Sequence, residues 1–260
     1  MIKLICSDID NTLLKGRDPS EGRDVIGLLA RSGILTALAT GRSPADVFDL
    51  FPEAASQTAV IGYDGAVCLY KGQTVYARPV EKDLFRAFFD TLAPKAGREF
   101  DLIFYGERTC YIKGCGDALK RLEKDATMQG HSAVVENALE IPEHIYKISL
   151  YSEKNTDFDY VVNAWQDYLN PIYHKGNWCE FVLRGIDKGS ALGILMERFG
   201  IRRNEAMAFG DGVNDFPMLA AVDYSYAIEG SPADRECAAE FVTSNVARTI
   251  KQVLGAQLLN

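Results

Sequence analysis

Long basic runs are absent from this chain. None exceeds two residues (Lys120-Arg121 and Arg202-Arg203), and 28 Lys and Arg stand against 36 Asp and Glu, a formal net charge of −8. A surface that holds a phosphodiester backbone needs clustered positive charge, so nucleic acid is not an expected partner. Histidine is scarce: His131, His144 and His174 are spread through the middle of the chain, each expected to be an ordinary surface or packing residue. The six cysteines (Cys6, Cys68, Cys110, Cys115, Cys179, Cys237) show no CxxC spacing and no paired His, so reduced, mostly buried thiols are expected. No window approaches the roughly 18–20 uncharged apolar residues of a membrane span. The N-terminus has only residues 4–6 before Asp8 and Asp10, too short for a signal-peptide core, so a cytosolic protein with no membrane partner is expected. With 22 Gly and 9 Pro there is no collagen-like or low-complexity bias. What the chain does have is 260 residues, 47% of them apolar, enough for one or two domains with a core that needs no disulfide.

Short apolar runs at 2–7, 34–39 and 59–61 read as strands buried on both faces of a parallel sheet. Helical periodicity over 25–30, stopping at Gly33, and the N-cap pair Ser43-Pro44 place helices between them. Strand and helix in alternation predict an open α/β sheet. The pattern then changes. A hairpin is expected at 66–70 and 74–78, a helix near 81–92, strands at 101–105 and 109–113, and a helix at about 117–126. A strand at 146–152, a helix at 158–169 and strands at 172–174 and 179–184 complete an α+β stretch. The first rhythm resumes with a helix at 188–199 and strands at 206–209, 224–228 and 240–242, Ser231 and Ser244 standing at N-cap positions. The expected organisation is a Rossmann-like α/β core with a mainly parallel sheet, made of residues 1–79 and 186–260, and an inserted α+β domain of residues 80–185.

Ligands of open α/β sheets sit beyond the carboxyl ends of the strands. Four polar motifs fall there: Asp8-x-Asp10-x-Thr12, Thr40-Gly41, Lys188 opening a helix, and Gly210-Asp211-Gly212-Val213-Asn214-Asp215. Asp8, Asp10, Asp211 and Asp215 bring up to four negative charges and Lys188 returns one. Like charges about 4 Å apart cost roughly 4 kcal/mol per pair at an effective dielectric of about 20, so the group calls for a cation. Hard oxygens with no His or Cys nearby select Mg²⁺ over Zn²⁺. With Mg²⁺ the set suits phosphoryl transfer: one carboxylate attacks phosphorus, and a second, two residues on, handles the proton of the leaving oxygen. Asp8 and Asp10 fit these two roles.

These four motifs, in this order, resemble the haloacid dehalogenase superfamily, and the insert between the second and third resembles the large α+β cap of the Cof-type subfamily IIB, the hexose-phosphate phosphatase-like members. The resemblance implies that Asp8 is the nucleophile and a Mg²⁺ ligand. It makes Asp10 the general acid/base and a Mg²⁺ ligand through its backbone carbonyl, and Asp211 a further ligand. Thr40, Gly41, Lys188 and Asn214 would hold phosphate, and Asp215 would orient the metal's waters or Lys188. Many Cof-type relatives carry Asn-Gly where this chain has Asp64-Gly65. An added negative charge near phosphate is unwelcome, so Asp64 is expected to point away or to read the leaving group, unless Asp64-Gly65 is merely a hairpin turn.

Arg42 follows Thr40 as a candidate substrate contact, with an ordinary surface arginine the alternative. In the insert, His174, Trp178 and Glu180 are candidates for the leaving group, although tryptophans there more commonly pack. The leading expectation is a Mg²⁺-dependent phosphatase of a small phosphorylated metabolite, a sugar phosphate above all, for which a monomer suffices. A phosphomutase with the same nucleophile and a phospho-accepting signalling module are the alternatives.

Overall fold

The computed structural model describes residues 1–258 apart from 15, 17, 117–119, 121–130 and 155, and apart from the side chains of 131, 174, 175 and 256–258. Two compact units divide the chain: Met1–Tyr76 with Asp187–Asn260, and Ala77–Ile186.

In the first unit, β1 (Leu4–Asp8), β2 (Leu35–Ala39) and β3 (Ala59–Gly62) are the three apolar runs. Between them lie α1 (Ser20–Ser32), which stops at left-handed Gly33, then α2 (Pro44–Leu50) and the single turn α3 (Ala54–Gln57). Ser43 caps α2, its hydroxyl accepting from the Asp46 amide while the Asp46 carboxylate reaches back to Ser43. β4 (Val67–Tyr70) pairs antiparallel with β3, and β5 (Gln73–Ala77) follows across Lys71-Gly72. Both turn residues have positive φ, as a two-residue hairpin turn requires, so Gln73 belongs to the strand rather than to the turn.

The second unit contains α4 (Lys82–Leu92), β6 (Asp101–Tyr105), β7 (Thr109–Lys113), β8 (His131–Val134), β9 (Lys147–Tyr151), α5 (Asp159–Trp165), β10 (Leu169–Lys175) and β11 (Trp178–Leu183). Its strands form a six-stranded sheet in the order β10-β11-β9-β6-β7-β8. Alternation sends Leu102, Phe104, Ile148, Leu150, Cys179 and Phe181 to a core completed by Phe88 and Phe89 of α4 and by Val161 of α5. The helix expected at 117–126 lies outside the described residues. Two expectations are corrected. The helix expected through 169 ends at Trp165, because Leu169 and Asn170 pair with Leu183 and Val182, and Pro171 biases its predecessor toward extended backbone. The strand β8, unforeseen in the sequence, runs parallel to β7 with His131 opposite Thr109.

The chain returns to the first unit with α6 (Lys188–Phe199), β12 (Ala206–Gly210), α7 (Phe216–Ala220), β13 (Tyr224–Ile228), α8 (Pro232–Arg235), β14 (Phe241–Thr243) and α9 (Val246–Leu258). Ser231 caps α8 as expected; before α9 it is Asn245, not Ser244, whose Oδ1 accepts from the Arg248 amide. The eight-stranded sheet runs β14-β13-β12-β1-β2-β3-β4-β5, parallel from β14 through β3. Ile5, Leu38, Val60, Met207 and Phe209 face α1 and α9 on one side. The other side is built from small residues, Ala37, Ala39, Ala59, Ala206 and Ala208, on which Ala191, Leu192 and Leu195 of α6 pack. These short side chains let α6 approach closely, which sets the depth of its first residue, Lys188. From β1 the chain winds one way to β2 and the other way, after the insert, to β12. That reversal opens a crevice at the carboxyl ends of β1 and β12.

Candidate active site

The crevice is where the acidic motifs meet. Asp8 ends β1, and Asp211 follows the last residue of β12. Ligating oxygens of Asp8, Asp211 and Asp215 all lie within 4.8 Å of one another. Lys188, only 1% exposed, reaches in from the first turn of α6 and donates to Asp8 Oδ1 at 2.7 Å and to Asp215 Oδ1 at 2.6 Å. Asp215 is fully engaged: its Oδ2 accepts from the amides of Asp211 and Gly212, both at 2.9 Å. Thr12, the third position of the first motif, donates its buried hydroxyl to Asp211 Oδ1 at 2.9 Å.

Charge in this pocket is poorly solvated. Burial pushes the Asp8 carboxyl well above the usual carboxylate range; Lys188 pulls it back only in part, and Asp215 and Asp211 add to the rise. Burial likewise raises Asp211, against hydrogen bonds from Thr12 and Asp8. For Lys188 burial works against the ammonium, but Asp215 and Asp8 outweigh it and hold the proton far more firmly than in a free lysine.

Asp10 stands apart from the acidic cluster. Its side chain is 43% exposed and pairs in a bidentate fork with Arg42, Nε to Oδ2 at 2.7 Å and Nη2 to Oδ1 at 2.6 Å. Arg42 is therefore neither a free surface residue nor a side chain simply aimed at substrate. Thr40 is buried, and its hydroxyl accepts from the Arg42 amide across Gly41.

Asp64 corrects an expectation, since it does not point away. It is 2% exposed, and its Oδ1 accepts from Asn214 Nδ2 at 2.8 Å. Asp64-Gly65 does lie in a hairpin turn, residues 63–66 joining β3 to antiparallel β4 with Gly62 opposite Val67. Tyr63 and Asp64 both adopt left-handed backbone (φ 50° and 52°) in a single 3₁₀ turn. The turn is tied to the Thr40 loop by the Tyr63 amide on Arg42 O and the Asp64 amide on Thr40 O, both 2.9 Å. Gly65 (φ 111°) lies so close to Asp187 that a Cβ there would stand 2.2 Å from the Asp187 carbonyl oxygen. The residue before Lys188 thus rests directly on this turn.

In the second unit, Glu180 pairs with buried Lys147 at 2.7 Å and accepts from Ser149 Oγ at 3.1 Å. Trp178 packs on Tyr151, ring centroids 4.7 Å apart, as the packing expectation for the tryptophans had it. His174 lies on β10 opposite Cys179, its side chain outside those described. Sequence reasoning did not pair Arg42 with Asp10, or Thr12 with Asp211. The hydroxyl two residues past Asp10 was the available signal for the second; the first has no local signal. A cavity of ≈ 940 Å³ lies at the opposite, amino-terminal end of the strands, lined by Ile2, Ile34, Leu35, Tyr70 and Phe199 among others, and contains none of these site residues.

A twisted, mainly parallel sheet with acidic residues and one buried lysine at its switch point defines a class of hydrolase. Residues 5–249 match the haloacid dehalogenase-like hydrolase family, and the chain belongs to that family. It stands among the family's phosphatases. The 5-amino-6-(5-phospho-D-ribitylamino)uracil phosphatase YbjI of Escherichia coli (strain K12) is 26% identical over 249 residues, covering 92% of this chain and 90% of the relative. Among solved structures, SMU.1108c from Streptococcus mutans UA159 superposes with a TM-score of 0.85 at 22% identity, over 98% of this chain and 100% of that one. BT4131, described as a subclass IIB sugar phosphatase, superposes with a TM-score of 0.77 at 20% identity, over 96% and 98%. Among the described residues no helix is long and apolar enough to cross a membrane.

Proposed function

We propose that the chain is a Mg²⁺-dependent phosphatase of small organic phosphates carried on a sugar or polyol, acting through a phosphorylated Asp8. Residues 1–79 and 186–260 would form the catalytic core, and residues 80–185 the cap that selects the substrate. The observation that carries this reading is the Asp8–Lys188–Asp215 chain beside Asp211, buried at the carboxyl ends of adjacent strands. Two of the similar proteins support the substrate class, one named for a phosphoribitylamino compound and the other as a sugar phosphatase.

The donor set fits a hard dication. Its atoms are carboxylate oxygens, they converge within 4.8 Å, and burial and crowding leave Asp8 and Asp211 reluctant to ionise without a cation. Because both Asp215 oxygens are committed to Lys188 and backbone amides, Asp8 and Asp211 would hold the ion, with the Asp10 carbonyl. Bound Mg²⁺ supplies charge neutralisation at the transferring phosphoryl oxygens.

The residues then divide the work. An Asp8 carboxylate oxygen forms a bond to phosphorus as the ester P–O bond breaks, and the departing oxygen takes a proton from Asp10. Both Asp10 oxygens accept from Arg42, so the proton exchange assigned to Asp10 requires that fork to open. Water then attacks phosphorus and yields its proton to Asp10; inorganic phosphate leaves and Asp8 is restored. Lys188, pinned between Asp8 and Asp215, holds an ammonium beside the phosphoryl oxygens at no cost of reorganisation. Thr40, Gly41 and Asn214 would complete the phosphate cradle.

The test is phosphate release from p-nitrophenyl phosphate and a panel of sugar and polyol phosphates. Turnover should require Mg²⁺, stop with EDTA and fall by about 10⁴ in Asp8→Asn. Undiminished hydrolysis by Asp8→Asn removes the mechanism, and isomerisation of a sugar phosphate without phosphate release removes the hydrolase reading.

A further inference from the structure

Asp64 is a buried carboxylate that the hydrolytic steps do not use, set in backbone that L-residues adopt at a cost. Its turn joins three of the four motif loops. Its own amide donates to Thr40 O, its neighbour Gly65 packs on Asp187 immediately before Lys188, and its Oδ1 anchors the Asn214 amide. An asparagine here could offer Asn214 an acceptor of similar shape. A carboxylate offers it acceptors alone and adds one negative charge to a site that already contains Asp8, Asp10, Asp211 and Asp215 against Lys188 and Arg42.

We propose that Asp64 is a positioning residue that fixes the Asn214 amide and, through its charge, weakens the site's hold on inorganic phosphate so that product leaves. The proposal rests on the phosphate-binding reading of this site. Fixation and charge act in opposite directions on an anion and can be separated by substitution. Asp64→Asn keeps an acceptor for Asn214 and removes the charge; asparagine tolerates left-handed backbone at least as well as aspartate, so the turn is retained. Asp64→Ala removes the anchor as well. The Asp64 carboxylate lies 2.8 Å from the Asn214 amide that would hold phosphate, and at 2% exposure its charge there is weakly screened.

Binding of inorganic phosphate is measured by titration calorimetry at pH 7.5 in saturating Mg²⁺, alongside its inhibition constant with p-nitrophenyl phosphate. Asp64→Asn should bind phosphate about five- to tenfold more tightly than the native chain, with KM falling and kcat falling or unchanged. Asp64→Ala should lose part of that gain through the released Asn214, and Asn214→Ala should bind phosphate more weakly than the native chain. Phosphate binding by Asp64→Asn that is equal to or weaker than native overturns the proposal. A native chain that binds no phosphate with Mg²⁺ present instead overturns the reading of the site on which it rests.

Discussion

Lys188→Met offers a sharp test of how the site is held together. The substitution keeps a long unbranched side chain at a position 1% exposed but removes an ammonium with partners at 2.7 and 2.6 Å, Asp8 and Asp215. At an effective dielectric of about 20, each contact carries about 6 kcal/mol of attraction, most of it offset by the desolvation of three charges. What remains on removing one partner is the burden of unpaired buried carboxylates, about 3–5 kcal/mol. The loss should depend on pH. Burial already holds the Asp8 carboxyl above its ordinary range, and removing Lys188 removes the main influence that lowers it. A carboxyl whose native pKa exceeds its unfolded value adds stability below the unfolded value and loses it as pH rises through the native one. Each unit of further rise is worth about 1.4 kcal/mol. Urea unfolding in EDTA should therefore show about 3–5 kcal/mol lost at pH 8 and distinctly less at pH 5, as the raised Asp8 carboxyl regains its proton. A loss below about 1 kcal/mol at pH 8, or one as large at pH 5 as at pH 8, would refute the buried-charge account.

Gly65→Ala should destabilise the fold by about 2–4 kcal/mol in the same assay, since the added methyl meets Asp187 O at 2.2 Å in a positive-φ backbone; a change under about 0.5 kcal/mol would show that the turn yields freely. Thiol chemistry checks burial independently. At pH 8 the native protein should present Cys115 and Cys237 to a disulfide reagent, while Cys68 and Cys179, pushed up to about 12 mainly by burial, stay silent until denaturant is added. Rapid modification of Cys68 or Cys179 in the native state, located by peptide mass, contradicts this packing.

The amino-acid order by itself determined the local elements and the inventory of chemistry. Short continuous apolar runs mark β1, β2 and β3, buried on both faces. Ser43-Pro44 begins α2, and Gly33 ends α1, because capping and left-handed geometry are decided within a few residues. The same order supplied the carboxylates and single lysine whose charges demand a cation. Tertiary structure decided which charges meet. Arg42 and Asp10 are 32 positions apart, Asp64 and Asn214 150, and Thr12 and Asp211 199, so no local pattern could pair them. It also decided the ends that propensity misplaced: the helix stopped at Trp165 because pairing of Leu169 with Leu183 outweighs helical periodicity. Local preferences act over one or two turns of chain, whereas a buried charge is governed by whatever folding brings within a few ångströms of it. For that reason Asp64, which reads as a turn residue in the sequence, lies inside the site.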